Sequence, residues 1–255
     1  MEDIKIGNLE FSKVICGTNP VFARSHFSKA RDMEYRERFD DARAEKLLLH
    51  CRRLGINAVD SSANERIVKL VSSVREQTGE TLRLIGSTRV DATSEMRTHE
   101  EKLNFLIENH ADICIIHAQQ VDAPRVGGEI AGLDQMLDQI HEAGLLAGIS
   151  THQIATVEYC ESRGLPVDTY LFPLSPLDRV YPGWEGPDTS RDRVQLVQSV
   201  EKPFILIKVL GAGCVPPSDG IPFALENAKP NDVLCIGFGS EREAEEIVRM
   251  VEKMA

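Results

Sequence analysis

Short apolar runs recur along the chain, and each is followed by a segment whose apolar residues are spaced three and four apart. Short apolar runs between turn residues are typical of strands buried on both faces, whereas the wider spacing predicts helices with one apolar side. Alternation of such strands and helices predicts a parallel sheet, and eight units close it into a (β/α)8 TIM barrel. The eight runs lie at residues 14–17, 58–60, 82–87, 113–117, 146–150, 170–172, 204–209 and 233–238.

The ends of the predicted elements are also marked in the sequence. One apolar helical stripe within residues 44–54 stops at Gly55, and glycine is common just after a helix. The last helix begins with Ser240 and Glu243, which have the spacing of a capping box. Before the repeat, residues 4–11 alternate around a Gly-Asn pair, which predicts a short N-terminal β-hairpin outside the barrel.

A doubly wound open sheet is the alternative α/β architecture. Its dinucleotide-binding form carries Gly-x-Gly-x-x-Gly directly after the first strand, but here that place reads GTNP at residues 17–20. The chain has 255 residues, close to the roughly 250 that are typical of a TIM barrel. Because no linker or break in composition divides the chain, we predict a single domain over residues 1–255.

The predicted fold indicates where the chemistry lies, because TIM barrels carry their active sites in the loops at the carboxyl ends of the strands. Two of these loops are long, at residues 18–41 and 173–188, and long loops of this kind commonly form lids. The first contributes Arg24 and His26, and the second contains Trp184, the only tryptophan. We assign these three residues to substrate binding. The basic residues favour an anionic substrate, although a solvated loop explains them at least as well.

Composition narrows the class of protein further. The net charge of -11 opposes nucleic-acid phosphates and anionic lipids. Six cysteines without a C-x-x-C pair indicate neither a zinc knuckle nor a redox dithiol, and favour a reducing, cytoplasmic location. The start lacks the pattern of a signal peptide, and no apolar run is long enough to span a membrane. We expect a small-molecule substrate and no nucleic-acid or membrane partner; the pattern does not indicate an oligomeric state.

Five strand ends carry segments that resemble those of the aldo-keto reductases, in the same order. The second strand end resembles the family segment that carries the active-site aspartate, which falls on Asp60. The fourth resembles the segment that carries the catalytic histidine, which falls on His117. The five segments are GINAVDSS at 55–62, IIH at 115–117, GIST at 148–151, KVLGAG at 208–213 and IGFGS at 236–240.

This resemblance implies an oxidoreductase that uses NADP or NAD, but two positions depart from the family pattern. The position of the proton-donating tyrosine falls at or next to Glu65, and the position of the neighbouring lysine holds Arg89. Carbonyl reduction needs an acid that protonates the oxygen as hydride arrives. Glu65 can supply that proton only if burial or Asp60 raises its pKa, whereas His117 titrates near neutral pH.

Each candidate catalytic residue also has a purely structural interpretation. Asp60 can cap the next helix or pair with Arg66, and a strand-end histidine such as His117 can fill core space. Glu65 and Arg89 can form an ion pair across the barrel mouth, which is as good an interpretation as catalysis. The sequence leaves these alternatives open.

The resemblance also implies a set of residues for the nicotinamide nucleotide. Ser150 and Thr151 match the family residues that hold the nicotinamide amide. Tyr170 falls near the residue beside that ring, although a tyrosine here fills core space equally well. Gly211 and Gly213 belong to the seventh strand segment, which we also assign to the cofactor.

Two further places are predicted to touch the cofactor. Lys208 stands in an apolar strand, so it either reaches the cofactor or pairs with a buried acid such as Asp60, because an unpaired ammonium is costly there. Gly239 and Ser240 open the last helix, whose free N–H groups can bind a phosphate, with Arg242 close by. An ordinary capped helix is the alternative, and the acidic residues that follow oppose a diphosphate.

Three hypotheses remain at this stage. The first is an NADP- or NAD-dependent oxidoreductase acting on a small, anionic carbonyl or alcohol substrate, with His117 or Glu65 as a remodelled proton donor. The second is a barrel of the same descent that uses acid–base or metal chemistry through Asp60, Glu65, His117 and His152, although their spacing matches no short metal motif. The third is a non-catalytic barrel that binds a cofactor or metabolite.

Overall fold

The computed structural model describes residues 3–92, 94–122, 128–183 and 186–254. A closed barrel of eight parallel strands follows a two-stranded antiparallel hairpin, and the barrel strands stand in chain order. Pairing of the last strand with the first closes the barrel. The predicted TIM barrel with its N-terminal hairpin is therefore confirmed. The hairpin strands are β1 (Asp3–Ile6) and β2 (Leu9–Ser12), and the barrel strands are β3 (Val14–Gly17), β4 (Ala58–Ser62), β5 (Arg83–Ser87), β6 (Ile113–Ile116), β7 (Leu146–Ser150), β8 (Thr169–Pro173), β9 (Phe204–Ile207) and β10 (Val233–Gly237).

Helices surround the barrel, and several of them begin at a residue whose side chain caps the helix. The side chain of Asn64 accepts a hydrogen bond from the backbone N–H of Ile67, and Thr98 and Glu101 form a capping box. The first long loop contains a helix of its own, α1, which has no buried residue. The helices are α1 (Lys29–Arg38), α2 (Asp41–Arg53), α3 (Glu65–Thr78), α4 (His99–Glu108), α5 (Ala118–Val121), α6 (Leu133–Glu142), α7 (Ile154–Ser162), α8 (Ser190–Ser199), α9 (Pro217–Asn227) and α10 (Glu241–Met254).

Strand alternation divides the apolar core into two clusters. One cluster fills the space between the strands and the helices, and the other fills the barrel interior. Three hairpin residues, Ile4, Ile6 and Phe11, belong to the interior cluster and are buried. The hairpin lies at the amino ends of the strands, where the backbone carbonyl of Glu10 accepts a hydrogen bond from Arg83 at the start of β5. The hairpin thus covers that end of the barrel.

The long loop after β8 is held by one buried arginine, Arg193 of α8. Its guanidinium donates to the backbone carbonyls of Asp178 at 3.0 Å and Asp188 at 2.8 Å, and also to that of Leu177. Its side chain is among the largest fully buried side chains of the described residues. A planar guanidinium has several donors in one fork, so it can bind several loop carbonyls at once.

We expect Arg193→Met to lower the free energy of unfolding by about 2–4 kcal/mol, because the three loop carbonyls lose the donors of the buried guanidinium. Urea denaturation followed by circular dichroism measures the change. Arg191→Met is the matched control, since Arg191 is exposed on the same helix. It should change stability by less than about 0.5 kcal/mol. Equal stability of the two variants would contradict the anchoring role.

Candidate functional site

A cavity of about 380 Å³ lies at the carboxyl ends of the barrel strands. Each of the eight strands contributes to its wall, either with its last residues or with those that follow directly. The loop before α1 closes one side. Chain segments far apart in sequence therefore line one site, as the fold predicts. Its polar and charged lining residues are Thr18, Asn19, Arg24, Ser25, His26, Arg31, Tyr35, Asp60, Ser61, Ser62, Ser87, Arg89, His117, Ser150, His152, Lys208, Cys235 and Glu243.

Asp60 and Lys208 lie in this cavity on different strand ends and affect each other's charge. Burial raises the pKa of the Asp60 carboxyl to about 6, against the opposite effects of the Cys235 thiol and of Lys208. The thiol lies 3.8 Å from the Asp60 Oδ2 atom. Burial, followed by the charge of Arg89, lowers the pKa of the Lys208 amine to about 8. Both groups therefore titrate within about two pH units of neutrality.

Three histidines of the site are neutral at pH 7. Burial is the largest cause in each case. The charge of Arg89 adds to it for all three, and that of Lys208 adds to it for His26 and His152. The pKa falls to about 3 for His26 and for His117, and to about 4 for His152. At such values these imidazoles hold no extra proton to donate.

His117 is also oriented by the backbone. It directly follows β6, and its Nδ1 atom accepts a hydrogen bond of 3.3 Å from the backbone N–H of Gln119 at the start of α5. The backbone N–H of His117 in turn donates to Thr88 Oγ1 at 3.0 Å. Because Nδ1 accepts, the neutral ring carries its proton on Nε2.

An aromatic contact centred on Tyr181 was not predicted from the sequence. The Lys208 Nζ atom lies 4.8 Å from the centre of the Tyr181 ring. The rings of His26 and His152 lie 5.1 Å and 6.4 Å from it, centre to centre. Tyr181 comes from the long loop after β8, so its contacts depend on that loop's path. The aromatic content of the loop was the only signal that the sequence offered.

Two arginines at the cavity share one carboxylate. Arg89 follows β5, and its Nε atom lies 3.2 Å from Asp91 Oδ1. Arg24, from the loop before α1, contacts Asp91 Oδ2 and donates to Ser62 Oγ at 3.1 Å. One carboxylate against two guanidinium groups leaves positive charge directed at the cavity.

Glu65 does not lie in this cavity. It is the first residue of α3, and its side chain is 66% exposed and paired with Lys69 at 3.1 Å. The predicted ion pair with Arg89 is therefore wrong. The suggested pairing of Asp60 with Arg66 is also wrong, since Arg66 pairs with Asp41 at 2.6 Å. Asn64, not Asp60, caps α3.

The predicted cofactor residues separate into two groups. Ser150, Lys208 and Gly213 line the cavity. Thr151 does not, because its hydroxyl donates to Asp122. Tyr170 points the other way, into the core between strands and helices, where its hydroxyl donates to Glu161 at 2.5 Å.

Strand geometry explains why Tyr170 does not face the cavity. Neighbouring residues of a strand point to opposite faces, so Leu171 rather than Tyr170 faces the cavity. Gly211 is buried beside the cavity without lining it, and Arg242 is exposed on α10. Trp184 lies outside the described residues.

Gly239 and Ser240 lie outside the main cavity, against a second one of about 250 Å³. The backbone N–H of Gly239 donates to Glu243 Oε2 at 2.8 Å, and the carbonyl of Gly239 accepts from Arg38 of α1 at 2.8 Å. The side chain of Tyr35, also in α1, packs against Gly239. Gly239, just before α10, therefore forms its hydrogen bonds with other residues of the chain. The carboxylate of Glu243 lies where a diphosphate would need hydrogen-bond donors. The residues present do not fit the phosphate groups of a dinucleotide there.

Among the described residues, no group of three or more His, Cys, Asp or Glu side chains is arranged to hold a metal ion. In the same part of the chain, no helix combines the length and the apolar character that crossing a membrane requires.

Solved structures share this fold. An aldo-keto reductase from Bacillus halodurans, in its holo form, aligns with a TM-score of 0.70 at 13% sequence identity, over 99% of this chain and 91% of that chain. A glycerol dehydrogenase from Gluconobacter oxydans gives 0.64 at 11% identity, over 99% and 95% of the two chains. An N-acetylmannosamine-6-phosphate 2-epimerase from Clostridium perfringens gives 0.56 at 16% identity, over 94% and 91%.

No sequence model of a known protein family matches the chain, and no curated protein sequence does. At identities of 10–16%, similarity between structures shows a common fold. The resemblance to the aldo-keto reductases that the sequence motifs indicate is confirmed at that level.

We expect Asp60→Asn to stabilise the protein at alkaline pH. A carboxyl whose pKa rises from 3.8 when unfolded to about 6 when folded holds its proton more tightly in the folded state. Its contribution to stability therefore falls as pH rises through this interval. Asparagine lacks this dependence, so the variant should gain about 1–3 kcal/mol over the native protein at about pH 8.

The gain in stability should vanish near pH 4, where Asp60 is protonated. The histidines with lowered pKa values affect the stability of both proteins equally, so they do not change the difference between them. Urea titrations at a series of pH values measure it. Asp138→Asn, at an exposed position of α6, is the control and should show no such dependence. A difference that does not vary with pH would contradict the raised pKa of Asp60.

Proposed function

We propose that the chain is an enzyme that binds a small anionic carbonyl compound at the carboxyl end of the barrel and moves a proton at the carbon next to the carbonyl. One observation carries the proposal. Among the described residues that line the cavity, four side chains are cationic and two are carboxylates, within a chain of net charge -11. A positive cleft in an acidic protein favours an anionic ligand. The cations are Arg24, Arg31, Arg89 and Lys208, and the carboxylates are Asp60 and Glu243.

Arg24 and Arg89 are suited to hold the anionic group of the substrate. Asp91 fixes both guanidinium groups from one side, so their remaining N–H donors stay in place before a ligand arrives. A guanidinium binds a carboxylate or phosphate through two parallel hydrogen bonds. Binding at such a prearranged pair loses little side-chain entropy.

Asp60 is suited to move the proton. With a pKa of about 6 it is mostly ionised at neutral pH and still accepts and returns a proton readily. Lys208 and the Nε2–H of His117 are cavity donors that can stabilise negative charge on a carbonyl oxygen. Proton abstraction next to a carbonyl needs this combination of base and oxygen stabilisation.

The similar structures support carbonyl chemistry in this fold. Two of them are named an aldo-keto reductase and a glycerol dehydrogenase, and a third is named a 2-epimerase of N-acetylmannosamine 6-phosphate. The last name describes an anionic substrate, which agrees with the positive cavity proposed here as the binding site.

A nicotinamide-dependent oxidoreductase is the second candidate. The named reductases of the same fold favour it, as does the position of Ser150 and Gly213 in the cavity wall. Two observations oppose this candidate. The Gly239 N–H before α10 is already hydrogen-bonded to Glu243, and His117 is neutral and has no extra proton to donate. Only this second candidate requires NADP or NAD as a cofactor and a residue that replaces the proton-donating tyrosine.

One experiment separates the two candidates. The purified protein is incubated in D2O with pyruvate, acetoacetate or dihydroxyacetone phosphate, and NMR follows exchange of the hydrogen next to the carbonyl. A parallel set contains NADPH or NADH, whose oxidation is followed by absorbance. We expect exchange that is lost in Asp60→Asn, and no oxidation of the nucleotide. Nucleotide oxidation without exchange would favour the oxidoreductase instead.

Substitution of an anion-binding arginine should weaken substrate binding. We expect Arg89→Met to raise KM by about 10- to 100-fold, because a charge-assisted hydrogen bond to the anion is lost. Steady-state exchange rates for the reactive compound measure this change. Arg249→Met, 71% exposed on α10, is the control and should leave KM unchanged. An unchanged KM in Arg89→Met would argue against the assigned binding site.

A further inference from the structure

Among the described residues, Lys208 is the cation of the cavity that forms no ion pair with a carboxylate. Arg24 and Arg89 share Asp91, and Arg31 pairs with Glu34 at 3.3 Å. Within the part of the chain that the structure describes, no carboxylate oxygen lies within the 4.0 Å of an ion pair from Lys208 Nζ. In the proposed function, Arg24 and Arg89 bind the anionic group of the substrate. The Lys208 amine is not needed for that binding and can react with the substrate instead.

The backbone at Lys208 is unusual for a residue with a side chain. It directly follows β9 and has a φ of +59°, in the left-handed region that favours glycine. The backbone N–H of Gly211 donates to its carbonyl at 2.7 Å, which fixes the turn. Strained positions of this kind persist where the surrounding structure requires them, and they cluster at functional sites.

The Lys208 amine is buried and lies near the charge of Arg89. Its Nζ atom lies over the face of the Tyr181 ring, which attracts a cation, and the imidazoles that contact that ring, His26 and His152, are uncharged. Burial and the charge of Arg89 lower the pKa of the amine to about 8, so roughly one tenth of it is unprotonated at pH 7. A lysine that is desolvated beside another cation is the usual nucleophilic amine of enzymes.

We propose that Lys208 forms an imine with the carbonyl carbon of the substrate. This inference rests on the proposed function, since it supplies the way in which the carbon next to the carbonyl becomes acidic. The lone pair of the neutral amine attacks the carbonyl carbon, the π electrons of the carbonyl move to its oxygen, and one proton passes from the nitrogen to that oxygen. Protonated Asp60 then gives its proton to the resulting hydroxyl group. The carbon–oxygen bond breaks as the nitrogen lone pair forms the second carbon–nitrogen bond, so water leaves.

The products of this step are one protonated imine, one water molecule and the ionised Asp60 carboxylate, and no redox partner is needed. The positive imine nitrogen draws electrons from the neighbouring carbon, whose proton then passes to a base. The ionised Asp60 left by the loss of water lies in the same cavity and can accept it. Electrostatic coupling between Asp60 and Lys208 links the two proton transfers.

Reductive trapping tests the proposal. The full chain is incubated with millimolar pyruvate, acetoacetate or dihydroxyacetone phosphate together with sodium cyanoborohydride, and acetone serves as the neutral carbonyl. Reduction of a pyruvate imine leaves a secondary amine, so the peptide gains the mass of pyruvic acid less one oxygen atom. We expect an anionic compound, and not acetone, to label Lys208 within minutes.

Other lysines of the chain provide internal controls. Lys102 is 1% exposed and donates to the carbonyl of Ala63, and Lys229 is bonded to Asp232 at 2.9 Å. Lys69 is 76% exposed and represents ordinary surface amines. Peptide mapping should show at least tenfold more label on Lys208 than on any of these. The yield at Lys208 should rise with pH, with a midpoint near pH 8.

Two variants complete the test, and circular dichroism confirms that each is folded. Lys208→Met should abolish trapping, and Lys208→Arg should keep the positive charge but also give no adduct. Exchange without any trapping would overturn the imine and leave the proposed function standing. Trapping without exchange would support the imine and remove the proposed function. Label on Lys69 equal to that on Lys208 would overturn the inference, because ordinary surface reactivity would explain it.

Discussion

Closure of the sheet between β10 and β3 is the constraint on which the rest of the molecule depends. Because all eight strands run in one direction, closure brings eight carboxyl ends into one ring. The hairpin covers the opposite end with Ile4, Ile6 and Phe11. Polar side chains at the ends of the strands therefore face one cavity, and the apolar interior below it excludes water. The low polarity of that interior keeps the histidines uncharged and raises the pKa of Asp60.

Much of the fold could be predicted from the sequence, because burial on both faces of a parallel strand leaves a continuous apolar run. All eight runs correspond to barrel strands, and the Gly-Asn pair marks the hairpin turn. Residues that line the cavity could be predicted at the ends of strands, as with Asp60 and His117, and in the first long loop, which contributes Arg24 and His26. At the strand ends, the period of the strand and the order of the motifs suffice.

The remaining site residues depend on contacts that strand periodicity does not contain. Glu65 follows a helix cap, so the start of α3 turns its side chain to solvent. Tyr170 and Leu171 are neighbours in β8, so their side chains point to opposite faces of the strand. Tyr181 reaches Lys208 through a loop that is held by a buried arginine on α8. Such long-range contacts cannot be deduced from local patterns.

The carboxylate of Asp91 already occupies part of the anion-binding surface of both Arg24 and Arg89. In the proposed site, an incoming anion therefore binds the N–H donors that remain and lies near the negative charge of Asp91. A single spherical ion such as chloride gains little from these donors, whereas a carboxylate or phosphate can form two parallel hydrogen bonds and gains more. Asp91 would thus make the proposed site selective for ligands that bind the guanidinium groups with more than one oxygen atom.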